Sequence, residues 1–202
     1  MTLRGDDAWV VVYDTYKWKG NGIPQDCADY LSGLTASQTP IIAVALAPND
    51  AWVVASGTNT IRASAGVPAA LLSQLTTLTN AGSAVTDLAV GPDGSWAVVA
   101  SKSHFYSGNI PATLLNQVKV LLNAGHSLKR ISLGATGSWA VISDTNGSYV
   151  SGVPQGLFDA LTTINASTAS VTGITLGASG SYALTYNVNS YYVSATRARR
   201  HP

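Results

Sequence analysis

Val85-Thr86-Asp87-Leu88-Ala89-Val90-Gly91-Pro92-Asp93-Gly94-Ser95-Trp96-Ala97-Val98-Val99-Ala100 is the stretch whose reading decides the fold. Its first six residues are β-branched and apolar, as a half-buried strand requires. Pro92-Asp93-Gly94 then supplies a tight turn, because Asp-Gly tolerates the positive φ angles of short hairpins. Trp96 to Ala100 reads as the returning strand. The same pattern recurs on both sides. Trp9, Trp52, Trp96, Trp139 and Tyr182 are spaced 43, 44, 43 and 43 residues apart, and Pro24, Pro68, Pro111 and Pro154 are spaced 44, 43 and 43. Two independent markers with one period define an internal repeat.

Each unit continues alike. A polar turn such as Asp144-Thr145-Asn146-Gly147 leads to a third strand such as Ser148-Tyr149-Val150-Ser151. Proline then opens a helix at the position where a missing N–H costs nothing. Leu71, Leu72, Leu75 and Leu78 follow Pro68 at helical spacing, and Leu114, Leu115, Val118, Leu121 and Leu122 follow Pro111. Asn80-Ala81-Gly82 and Asn123-Ala124-Gly125 end these helices with a glycine suited to a left-handed cap.

The units fall at about 5–48, 49–92, 93–135, 136–178 and 179–196, within a single repeat domain 1–196 followed by a basic tail 197–202. The fifth unit lacks a helix and a closing strand. Met1 to Arg4 precede the first hairpin as Ile41 to Leu46 precede the second, so Leu3 is expected to complete the fifth unit. The expected fold is an α/β repeat: a five-bladed β/α-propeller of strand-strand-helix-strand units, closed by the N-terminal strand, which hides exposed sheet edges. An open solenoid, or a fragment of a longer ring, is the alternative.

The 202 residues are 46% hydrophobic and only 10% charged, with all ten acidic residues aspartate. Polarity therefore rests on Ser, Thr, Asn and Gly. A net charge of +1 gives no field to recruit nucleic acid or a membrane surface. The one cysteine, Cys27, excludes a disulfide framework and a multi-cysteine metal site. Met1 to Asp7 contain no apolar run, so no signal peptide is expected there. No stretch of about 18 apolar residues occurs to span a membrane. The compartment and oligomeric state stay open.

The order strand–strand–helix–strand, repeated five times, resembles the pentein β/α-propellers, which include arginine deiminases, amidinotransferases and a ribosome-associated translation factor. The Gly94-Ser95-Trp96-Ala97-Val98 turn and strand, with Ser151-Gly152-Val153-Pro154 ahead of a leucine helix, is similar to repeat modules of uncharacterised bacterial proteins. The pentein resemblance implies catalysis by a late cysteine with histidine and carboxylates around a channel. Here Cys27 stands where Leu71, Leu114 and Leu157 stand in other helices, so it reads as a core residue.

His104, His126 and His201 occupy different places in different repeats, and no nucleophile elbow, zinc-binding pair of histidines or phosphate loop is present. No cofactor is expected. Asp6, Asp7, Asp50 and Asp93 read as turn residues, and Asp26, Asp29 and Asp159 suit helix N-terminal turns. The anchor aromatics read as packing wedges. The third-strand aromatics vary between copies and alternate with Lys17, Lys19, Ser107 and Ser151, so ligand contact is expected at Trp18, Arg62, Tyr106, Tyr149 and Tyr192. The expected function is a non-catalytic binding module, lectin-like or protein-binding, with several shallow sites around a ring and a glycan or protein ligand. A scaffold for one protein partner and an enzyme with one central site are the alternatives.

Overall fold

In the computed structural model, residues 1–4, 8–144, 147–187 and 190–194 are described. The chain runs β1 (Thr2–Leu3), β2 (Trp9–Tyr13), β3 (Lys17–Asn21), α1 (Gln25–Ala36), β4 (Ile41–Leu46), β5 (Trp52–Ser56), β6 (Thr60–Ala63) and α2 (Ala69–Asn80). It continues with β7 (Val85–Val90), β8 (Trp96–Ala100), β9 (His104–Gly108), α3 (Ala112–Asn123), β10 (Leu128–Leu133), β11 (Trp139–Ser143) and β12 (Ser148–Ser151). It ends with α4 (Gln155–Asn165), β13 (Val171–Leu176), β14 (Tyr182–Tyr186) and β15 (Ser190–Ser194). Among the described residues no helix is long and apolar enough to cross a membrane.

The turns form for the reasons read from the sequence. Gly94 sits at φ 79°, and Asn49 and Asp50 at φ 56° and 60°. Asp93 Oδ1 accepts from the Ser95 amide at 3.0 Å and the Ser95 hydroxyl at 2.6 Å, locking the hairpin. Prolines 24, 68, 111 and 154 precede the first helical residues, and none of the four helices has a side-chain N-cap bond. Each helix buries residues at i, i+4 and i+7: Cys27, Leu31 and Leu34; Leu71, Leu75 and Leu78; Leu114, Val118 and Leu121; Leu157, Leu161 and Ile164.

The strands form five separate three-stranded antiparallel sheets: β1-β2-β3, β4-β5-β6, β7-β8-β9, β10-β11-β12 and β13-β14-β15. Each sheet takes the strand before a hairpin together with that hairpin, its neighbour along the chain. Four hydrophobic cores join consecutive sheets, each with one helix between them: α1 between the first and second, α2 between the second and third, α3 between the third and fourth, and α4 between the fourth and fifth.

These findings correct the expected fold: the five-bladed β/α-propeller of strand-strand-helix-strand units closed by the N-terminal strand is not formed. Thr2 pairs with Val10 and Leu3 with Trp9, so β1 belongs to the first sheet rather than the last. The fifth sheet is complete from its own β13, β14 and β15. Among the described residues, no hydrophobic core joins the fifth sheet to the first. Thr185 stands at the register where Ala55, Val99 and Ile142 stand in sheets two to four, and it is only half-buried where they are buried. A hydroxyl at that position does not supply the apolar surface that the other junctions bury.

Candidate functional site

The first strands of all five sheets converge on one cavity of about 570 Å³. β4 lies beside β7, β7 beside β10 and β10 beside β13, while β1 touches β4 and β13. Each six-residue first strand carries a β-bulge at its second residue, at Ile42, Thr86, Lys129 and Thr172. A bulge re-aims the residue that follows it. In the second and fifth sheets that residue is Ala43 or Gly173; in the third and fourth it is Asp87 and Arg130. Asp87 and Arg130 thus face one cavity from equivalent places on adjacent sheets.

Asp87 is 7% exposed. Its Oδ2 accepts from the Ile131 amide at 2.7 Å, and its Oδ1 lies 3.8 Å from Arg130 Nη1, too far for a direct hydrogen bond. Burial pushes its carboxyl up to about 6, against the opposing pull of the Arg130 charge and the Ile131 N–H. Arg130 remains half-exposed and its Nη1 donates to the Lys129 carbonyl at 3.3 Å. Hydroxyls complete the wall. Thr172 Oγ1 and Thr185 Oγ1 lie 3.0 Å apart, and Thr175 Oγ1 donates to the Met1 carbonyl at 2.7 Å. Ser132 Oγ accepts from the Leu176 amide at 2.9 Å. The Asp87 and Ser132 bonds both run from one first strand to the backbone of the next, so they also join neighbouring sheets.

Aliphatic surface from Val11, Val12 and Ile42 lies between these polar groups, and Tyr13, 40% exposed, adds an aromatic face. A second cavity of about 420 Å³ sits at the turn end, floored by Leu3, Leu46, Val90, Leu133 and Leu176, with the Arg4–Asp50 ion pair (2.7 Å) at its side.

The expected ligand residues lie elsewhere and are not brought together. Trp18 on β3, Tyr106 on β9 and Tyr149 on β12 are each half-buried, packed against three different inter-sheet cores. Arg62 on β6 is exposed, with its guanidinium 4.7 Å from the Tyr30 ring centroid. Tyr30 in turn stacks on Trp52 at 5.9 Å and shares a 3.1 Å hydrogen bond with Ser56. Tyr192 pairs with Leu184 in β15, but its side chain lies outside the described residues. So do the tail residues Arg197, Arg199, Arg200 and His201, and the turn residues Asp6 and Asp7.

Cys27 is fully buried in the core of α1, and burial pushes its thiol up to about 12, far from a reactive thiolate. His104 is exposed on β9, 3.4 Å from the Ser103 hydroxyl. His126 Nδ1 lies 3.4 Å from Asp144, in a turn away from the cavity. Among the described residues, no group of three or more His, Cys or Asp side chains is placed to hold a metal ion.

Sequence reasoning passed over Asp87 and Arg130. The signal was there: two opposite charges one repeat apart, each at the third residue of a six-residue first strand. Comparison of the chain with protein-family models, with curated proteins and with solved structures gives no match.

Proposed function

We propose that the protein is a non-catalytic binding module that takes one hydroxylated ligand of the glycan class in the cavity walled by the first strands. The carrying observation is the placement of Asp87 and Arg130 at matching positions on adjacent sheets, 3.8 Å apart and facing the same cavity. A carboxylate accepts two hydroxyl protons and a guanidinium donates to hydroxyl oxygens, so the gap between them suits a pair of sugar hydroxyls. The aliphatic wall and Tyr13 suit the C–H face of a sugar ring. About 570 Å³ falls within the size range of small-molecule sites.

One site per chain is better supported than several similar ones, because Trp18, Tyr106 and Tyr149 already rest against the inter-sheet cores. Binding is better supported than turnover. The hydroxyls described in the wall bond to backbone groups or to each other, and among the described residues no histidine lies in the wall to activate them.

A glycan array followed by titration calorimetry tests the reading. Binding should saturate at one ligand per chain, and Asp87→Asn and Arg130→Ala should each weaken it at least about tenfold, the scale of a lost charge-assisted hydrogen bond. Absence of sugar binding, or binding indifferent to both substitutions, overturns it.

A further inference from the structure

Four junctions between consecutive sheets hold a helix, and the junction between the fifth sheet and the first holds none among the described residues. On the first-sheet side the surface of that junction is apolar and less covered than its counterparts; on the fifth-sheet side, beyond Gly173, Thr175, Ala183 and Thr185, Tyr191 is the large exposed side chain. Trp9 is half-buried, where its counterparts Trp52, Trp96, Trp139 and Tyr182 are 1%, 6%, 4% and 8% exposed. Val11 is half-buried, whereas Val54, Val98, Val141 and Leu184 at the same register are fully buried. Tyr191 on the fifth sheet is 73% exposed, at the register where Ile61 and Phe105 pack against a core.

The other junctions state what such a surface accepts. Each is filled by a helix that follows a proline and buries residues at i, i+4 and i+7. In two of them the second helical residue also satisfies the anchor indole: Trp52 Nε1 donates to Asp26 Oδ1 at 3.1 Å, and Trp139 Nε1 to Thr113 Oγ1 at 3.0 Å. The corresponding residue of α2 is Ala70, which has no acceptor to offer Trp96. The indole N–H of Trp9 has no hydrogen-bond partner among the described residues.

We propose that the face carrying Trp9, Val11 and Tyr191 is a docking surface for an amphipathic helix of a protein partner. The helix follows a proline, carries Asp or Thr at its second residue to accept from Trp9 Nε1, and presents aliphatic residues at its third, seventh and tenth positions. This is helix-in-groove recognition, with Trp9 as the anchor that the helix covers. The surface shares Val11 with the wall of the Asp87–Arg130 cavity but not Trp9 or Tyr191, so Trp9→Phe and Asp87→Asn tell the two assignments apart.

The protein's own α3 is the natural probe, since it carries both features. A lactam-stapled peptide of residues 109–125 removes the nucleation cost that keeps short helices unfolded in water. Added to the whole chain, it should bind with a blue shift in tryptophan emission that Trp9→Phe abolishes. Replacing Leu114, Val118 and Leu121 of the peptide by Ser should weaken binding at least about tenfold, and Thr113→Val about threefold, as loss of one hydrogen bond predicts. Asp87→Asn in the protein should leave peptide affinity unchanged. The proposal is overturned if the native and serine peptides bind alike, if neither binds, or if the emission shift survives in Trp9→Phe.

Discussion

The junction between the second and third sheets and the junction between the fifth and first are built from the same repeat, yet only one of them closes. In the first, Ala43, Ala45, Val53 and Ala55 meet Leu71, Leu75 and Leu78 of α2, with Val98 and Trp96 on the far side, and all are buried. In the second, the equivalent register of the fifth sheet reads Gly173, Thr175, Ala183 and Thr185, and the facing Trp9 and Val11 are half-exposed. Two alanine positions carry threonine, each with a hydroxyl added. Polar residues alone do not keep a junction open, since the third and fourth sheets carry Asp87, Arg130 and Ser132 at matching places and still share cores with their neighbours; the helix present in those junctions is what the fifth lacks among the described residues.

Core truncation should give the largest contrast between the two junctions. Leu75→Ala in the filled junction should cost about 2–5 kcal/mol, the range for fully buried leucine. Val11→Ala at the unfilled junction should cost under about 1 kcal/mol, because less apolar area leaves a packed environment. Urea unfolding of both variants measures this. Equal losses would break the comparison by showing that the fifth junction is packed in solution.

The cavity wall supplies a pH test of the next size. The Asp87 carboxyl titrates near 3.8 when unfolded and near 6 in the fold, so between those values the folded state binds more protons. Its contribution is fully present below about pH 4 and is lost as pH rises through about 6, amounting to about 3 kcal/mol at most. Asp87→Asn keeps an acceptor for the Ile131 amide and should flatten that part of the stability–pH curve. An unchanged slope in the variant would mean that Asp87 is not held in a desolvated place.

Much of the local structure was legible in the sequence, because hairpins and helices answer to short-range chemistry. Pro68 and the Leu71, Leu75, Leu78 spacing mark α2, and Asp93-Gly94 marks the turn before β8. Assembly was less legible. The repeat implied that Leu3 belonged to the last unit, but strand pairing followed chain proximity, and Leu3 pairs with Trp9, six residues on in the sequence. The candidate site was hidden for a related reason. Variation among third-strand aromatics drew attention to Trp18, Tyr106 and Tyr149, whereas the residues facing the cavity are set by bulges that no alternation pattern reveals. Charge at a bulge, as at Asp87 and Arg130, marks two of the residues that face the cavity.

A smaller contrast concerns the helix N-termini. Asp26 accepts from Trp52 Nε1 and from the Cys27 amide at 2.9 Å, tying α1 to the second sheet. Asp26→Ala should cost about 1–2 kcal/mol through two lost hydrogen bonds in a partly buried setting. Restoring a side-chain acceptor at the matching place in α2, by Ala70→Asp, should stabilise by about 0.5–1 kcal/mol if Trp96 Nε1 is reached as Trp52 is. Thermal melts of the two variants sharpen the claim that the helix's second residue clamps the anchor aromatic.

The smallest effect isolates the uncovered face itself. Phe105 and Tyr191 occupy the same register on the third strands of their sheets, opposite Val99 and Thr185. Phe105 packs against the core of α3, so Phe105→Ser should cost about 1–2 kcal/mol in lost apolar burial. Tyr191 is 73% exposed, so Tyr191→Ser should change stability by under about 0.5 kcal/mol. In the presence of a saturating helical peptide the ranking should narrow, because ligand binding stabilises the fold only through the surface it covers. A tyrosine that is costless to remove alone but costly to remove in the complex is one whose place in the repeat was kept for a partner's helix.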